Sequence, residues 1–416
     1  MSSAAETESQ SFFGWLDYDE RETQRMREVF AAFDDKDTID SLGIGVIRDT
    51  LSDQLFPGIS TVQTRARYFL FVPWICQLLE AERVPPAKFD QRLRELEVAL
   101  IESLRPQEGP DRGVIGYRAR KRLARLPSSV YWNGLQVFGL RKMRLSTAEY
   151  RAIAGRLAAV DAATGVDDDD GPVIARRRMW DPTIAPLMPA GFPFAPISLT
   201  LSGEESELLA ENIAISCPDT MIGQLARDLS IDRTAEEPWQ VQVSNPGPHL
   251  SEALRHARNF SELIEGAQAL YNLLLARRAE QHLKLDCTDL IATLLEQLDD
   301  WSNLVTGRSA ELQRWLDSGE FWQFIETRAH VAQPTCRFVM KWARAAFADP
   351  AGAAHSADAA ALVTERELNL KGKLARLAND RALENWNGEP FSPGRMTYRW
   401  KNARQILDDL QFHEGA

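Results

Sequence analysis

Seven residues between Leu254 and Leu274 recur at steps of three and four: Leu254, Ala257, Ser261, Ile264, Ala267, Tyr271 and Leu274. An apolar stripe of that period, held for about six turns, belongs to a helix and to no strand. A helix of this length cannot bury its stripe alone, so the chain around it must supply other helices to pack against. Further helices are expected over residues 44–55, 61–82, 89–104, 289–301, 309–316, 321–331, 334–347, 357–377 and 397–412, with an amphipathic one over 20–33 near the start. Strand-like runs are confined to 197–201 and 239–243. The expected class is mainly α, a multi-helix protein.

The densest apolar run, Tyr68 to Ile75, closes a stretch from Gly43 to Trp74 that also carries Arg48, Arg65 and Arg67. Its helix is apolar on most sides past Tyr68, which places it at the centre of an N-terminal domain. Pro73 should kink it. Arg65 and Arg67 lie two apart, so on a helix they point in nearly opposite directions and cannot make one patch. One is expected to reach solvent or a partner while the other meets an internal acid such as Asp49 or Asp53. Tyr68 to Leu79 spans a dozen residues, where crossing a membrane takes about 20. No membrane partner is therefore expected.

Three regions emerge. Residues 12–160 read as a helical domain. Residues 161–248 read as a Pro-rich linker with little regular structure, because six prolines fall between Pro172 and Pro196 and proline interrupts both helix and sheet. Residues 249–416 read as a helical bundle.

Much chemistry is excluded on motifs. Cys76, Cys217, Cys287 and Cys336 are far apart and lack CxxC spacing, so neither a zinc site nor a disulfide framework is expected. The start, MSSAAETESQ, has no secretory pattern. Together these suggest a cytoplasmic protein. Gly43 and Gly45 form a lone GxG without the third glycine of a dinucleotide fingerprint. Nucleophile elbows and phosphate loops are missing. The acidic runs Asp34/Asp35/Asp37 and Asp167–Asp170 read as solvated loops, and Glu365/Glu367 pair along a helix with Lys371/Lys373. His249 and His256 stand seven apart with nothing else resembling a metal set. No catalytic residue, metal or cofactor is expected.

Charge carries the strongest functional signal. Between Pro110 and Leu145 stand nine basic residues, Arg112, Arg118, Arg120, Lys121, Arg122, Arg125, Arg141, Lys142 and Arg144, against one acid, Asp111. That is +8 within a chain of net charge −12, which leaves −20 on the remainder. Such a cluster suits a polyanion, because each neutralised phosphate releases counterions. A basic helix over 117–126, a break at Pro127-Ser128, and a second helix closed by Gly139 give a helix-turn-helix-like unit over 112–145. Ser128, Ser129 and Asn133 open the second helix with groups suited to phosphates or base edges. A capping box, Ser146 with Glu149, starts the next helix. The competing reading docks the basic face on an acidic neighbour. A second basic segment, 369–404, interleaves Lys371, Lys373, Arg376, Arg381, Arg395, Arg399, Lys401 and Arg404 with Trp386, Tyr398 and Trp400; it suits a capping helix with a snorkelling basic face or, as the alternative, a second polyanion contact.

The segments FFGWLD, LGIGVIRD, LFPGISTVQTRARYFLFVPW, LPSSVYWNGLQVFGLR, LKGKLARLANDRALENW and TYRW resemble a bacterial family catalogued as a domain of unknown function. They span nearly the whole chain. The resemblance transfers no catalytic residue. It implies a place in mobile anti-phage loci beside helicase-like and phospholipase-D-like proteins. The leading expectation is thus a non-enzymatic defence subunit that binds DNA or RNA through residues 112–144 and partner proteins through its C-terminal bundle. The alternatives are a metal-dependent nuclease of unrecognised type and a purely structural adaptor.

Overall fold

The computed structural model describes residues 40–110, 112–162, 178–392 and 394–413. Among them are fourteen α-helices and no strand, with one isolated bridge between Arg141 and Trp180. The chain is mainly α, as its periodicity requires. The expected helix over 20–33 and the acidic runs at 34–37 and 167–170 lie outside the described residues. Among the described residues no helix is long and apolar enough to cross a membrane. The chain divides into two compact units, Val46–Ser261 with Leu312–Val331 and Met396–Ala416, and Met1–Gly45 with Glu262–Glu311 and Ala332–Arg395.

The first unit is built around α2 (Tyr68–Ala81), which follows α1 (Gly45–Leu55). Every residue of α2 from Tyr68 to Cys76 is buried, and α3 (Pro86–Leu104), α4 (Pro127–Val137) and α5 (Thr147–Ala162) pack on it. Phe69 meets Tyr131 and Phe138 edge-on at centroid distances of 4.8 and 5.0 Å, arrangements that favour aromatic quadrupoles beyond simple burial. The helix starts seven residues later than expected. The amides of Thr64 and Arg65 donate to the Tyr131 phenol oxygen (2.9 and 3.1 Å), a side-chain acceptor that replaces the helical one. Pro73 lies inside α2. The Ser146–Glu149 capping box forms, with Ser146 N donating to Glu149 Oε2 (2.7 Å) and Glu149 N to Ser146 Oγ (3.2 Å).

Residues 203–227, within the stretch expected to be largely irregular, form α6 (Gly203–Ser216) and α7 (Met221–Arg227). Ser202 and Glu205 make a full capping box for α6, and local capping of this kind starts a helix despite nearby prolines. The strand-like runs at 197–201 and 239–243 contain no strand. α14 (Trp400–Gln411) packs on α6 and α7.

The second unit takes residue 262 onward of α8 (Pro248–Leu283) and the part of α9 (Thr288–Asp317) up to Glu311. Helix α9 is continuous where two helices were expected, because Gly307 faces open space and costs the helix little more than its own entropy. Trp301 and Trp342, the latter on α11 (Gln333–Ala348), lie 5.6 Å apart and donate to the carbonyls of Glu262 and Leu263. A Cβ on Gly266 would sit 2.3 Å from the Trp301 ring. α12 (Ala357–Lys371) ends six residues earlier than expected, at Gly372 (φ +52). From α12, Arg366 donates to the carbonyls of Leu42 and Gly43, and Lys371 to Ser41. The expected intrahelical pair is present between Glu367 and Lys371 at 3.4 Å.

Candidate nucleic-acid interface

The chain between α3 and α4 departs from the expected basic helix over 117–126. Gly113 (φ +89) and Gly116 (φ +84) turn it, and Arg120 itself is left-handed (φ 49). Gly113 and Gly116 lie just before the expected span, and the left-handed Arg120 inside it precludes a continuous right-handed helix there. Only Arg120–Arg122 closes, as a single 3-10 turn. Helix α4 therefore lacks the preceding α-helix that a helix-turn-helix requires.

The loop is nevertheless fixed, and the stretch before α2 fixes it. Thr64 Oγ1 donates to the Gly113 carbonyl at 2.6 Å, Arg65 Nη1 donates to the Arg112 carbonyl at 2.9 Å, and the Ile115 amide donates to the Tyr68 hydroxyl at 2.9 Å. Arg94 of α3 donates to the Leu123 carbonyl at 2.9 Å. Val114 is buried. With its apolar residue inside and its carbonyls tied down, the loop turns its cationic side chains outward.

Arg112, Arg118, Arg120, Lys121 and Arg122 are all exposed. Arg112, Lys121 and Arg122 make no ion pair among the described residues. Arg120 is held fork-to-fork by Glu102, Nε to Oε1 at 2.6 Å and Nη2 to Oε2 at 2.7 Å. Arg105 shares the same carboxylate at 3.3 Å. Hydrogen bonding from Arg120 holds the Glu102 carboxyl below the usual carboxylate range. Arg105 also lies 5.0 Å over the Tyr117 ring, and Arg125 is half-buried.

The remaining expected contacts divide sharply. Ser128 is buried, its amide and hydroxyl donating to the two oxygens of Glu97 at 2.6 and 3.3 Å. Arg141 is buried too; it donates to the carbonyls of Met143 and Leu145 at 2.7 Å each and lies 4.6 Å over the Trp132 ring. Those two side chains are internal fasteners. Ser129 is exposed and donates to the Leu126 carbonyl; Asn133, four residues on, is exposed on the same face of α4. Lys142 is exposed but paired with Asp181 at 2.8 Å, and Arg144 is exposed.

The arginines of the stretch before α2 have internal partners, though not the expected ones. Arg65 pairs with Asp409 of α14 at 2.8 Å and Arg67 with Glu205 of α6 at 2.8 Å. Arg48 takes the adjacent Asp49 at 3.1 Å, and Asp53 pairs with Arg399 at 2.6 Å. The acids come from 344 and 138 residues away, and nothing local in the sequence marks them. Of the two histidines singled out, His256 is fully buried and accepts from Trp315 Nε1 at Nδ1 (2.8 Å); burial and the nearby Arg255 push it down to about 4, so it is neutral at pH 7. In the second basic segment, Arg395, Arg399 and Lys371 have carboxylate partners and Arg376 lies over Phe391, while Lys373, Arg381 and Lys401 are exposed.

Fold and surface together define a helical protein whose buried polar network holds a cationic loop outward. The chain belongs to a family of unknown function, DUF6361, whose model matches residues 10–413. No curated protein and no solved structure matches it.

Proposed function

We propose that this protein binds nucleic acid through the loop between α3 and α4, with Arg112, Lys121 and Arg122 as its principal contacts and Arg118, Arg120 and Arg144 in support. The observation that carries the reading is that three cations of this loop are exposed and make no ion pair among the described residues, in a chain of net charge −12. A protein this acidic has carboxylates to spare for an internal docking face, as Glu102 demonstrates with Arg120. Cations left unpaired beside it are better accounted for by an external polyanion. The setting in the same proposal is a non-enzymatic subunit of a bacterial anti-phage assembly, which rests on the family resemblance alone.

The test is binding of the full chain to labelled DNA and RNA by fluorescence anisotropy as salt is raised. Binding that weakens steeply with salt and is lost in the Arg112→Ala/Lys121→Ala/Arg122→Ala protein supports the reading. A chain that binds neither nucleic acid at low salt ends it.

A further inference from the structure

Resting on that reading, we infer that the ligand is a nucleic-acid duplex gripped by its phosphates, with no reading of base sequence. Helix α4 has little to present to a ligand. Pro127, Ser128, Val130, Tyr131, Trp132, Gly134 and Leu135 are buried, which leaves this helix a single narrow outward edge at Ser129 and Asn133. A recognition helix needs several side chains free to reach base edges in the major groove. Here Ser128 is bonded to Glu97 and Arg141 to backbone carbonyls. Asn133 alone is too little for a sequence code.

Single strands are gripped differently, by stacking bases on aromatic side chains. The aromatic residues around the loop are otherwise engaged. Tyr131 is buried with its phenol bonded to the amides of Thr64 and Arg65 and to the Arg65 carbonyl. Trp132 is buried, donates to the Leu145 carbonyl and is covered by Arg141. Tyr117 lies under Arg105, and Tyr68 is fully buried beneath Ile115.

What projects is guanidinium and ammonium on a fixed backbone. Such groups reward charge density, and a duplex carries one charge per ~1.7 Å of axis with a counterion-release slope of about 0.9 per phosphate, against about 0.7 on a single strand. Arginine forks also match phosphate oxygens two at a time. The loop thus favours paired over unpaired strands and is indifferent to sequence.

The experiment uses the full chain and four labelled ligands: two duplex DNAs of about 25 base pairs with unrelated sequences, one duplex RNA, and one of the DNA strands alone, each titrated from about 50 to about 200 mM salt. The two duplex DNAs should bind within about twofold of each other, the single strand several-fold more weakly, and the duplex slope of log K against log salt should be about −3, one phosphate for each unpaired cation. The RNA arm tells which duplex is preferred. A tenfold difference between the two sequences, or tighter binding of the single strand, overturns the inference while leaving nucleic-acid binding intact. Failure of all four ligands to bind at the lowest salt removes both.

Discussion

Glu97 sits in an environment far from that of a solvated carboxylate. Its carboxyl is fully buried between α3 and α4, and burial pushes it up to about 8 despite two hydrogen bonds from Ser128 that favour the anion. A folded-state value raised above the unfolded one gives stability that is full below the unfolded value, near 4.5, and lost as pH rises through about 8. The melting temperature should therefore fall between pH 5 and pH 9, and Glu97→Gln should flatten that fall, because the amide keeps the shape and cannot ionise. Parallel profiles for the two proteins would show that Glu97 is not the source. Glu102 makes the opposite kind of residue prediction. Its carboxylate occupies the Arg120 fork in the geometry a phosphate would use. Glu102→Gln should strengthen nucleic-acid binding several-fold and steepen the salt slope by about 1, one more cation being freed for phosphate. Unchanged binding would mean that Arg120 stands away from the ligand.

At the scale of elements, α4 depends on close approach. A Cβ added to Gly134 would lie 2.6 Å from the Gly58 carbonyl oxygen and 2.8 Å from the Phe69 ring. Neither neighbour has room to yield, since one is backbone and the other sits in the aromatic core. Gly134→Ala should cost about 1–3 kcal/mol, as overpacking does, measured by denaturant unfolding; a neutral result would mean the helix shifts freely. Much of this was legible in sequence. Pro127 at the first turn and Gly139 (φ +68) just past the end bound α4 as their chemistry dictates, and Ser146 with Glu149 starts α5. The helix expected at 117–126 does not form: basic residues are good helix formers, but the left-handed Arg120, the turns at Gly113 and Gly116 and the tethering of their neighbours to Thr64 and Tyr68 decide the local path. Those tethers come from some fifty residues away, where propensity is silent. Helix α6 had a signal that composition hid, Ser202 three residues before Glu205.

For the molecule as a whole, the Gly43–Trp74 stretch and the basic region, which look like separate features along the chain, become one structure. Asp409 holds Arg65, Arg65 holds the Arg112 carbonyl, Thr64 holds Gly113, and Tyr131 seats Thr64 and Arg65. The internal role of both Arg65 and Arg67 was not legible, because the two lie before α2 and not on it, and their acids, Asp409 and Glu205, meet them only through folding. The candidate surface was legible in charge and not in shape. Five of its exposed cations lie on the loop, while two of the twelve expected contact residues, Ser128 and Arg141, are buried fasteners. One comparison tests the central claim that this loop is the polyanion contact. Lys121→Glu/Arg122→Glu reverses two loop charges, and Arg337→Glu/Lys341→Glu reverses two exposed charges on α11, so both proteins shift net charge equally. Binding to duplex DNA at low salt should vanish in the loop variant and persist in the α11 variant, with both melting as the wild type does. Equal loss in the two, or undiminished binding by the loop variant, would contradict the account.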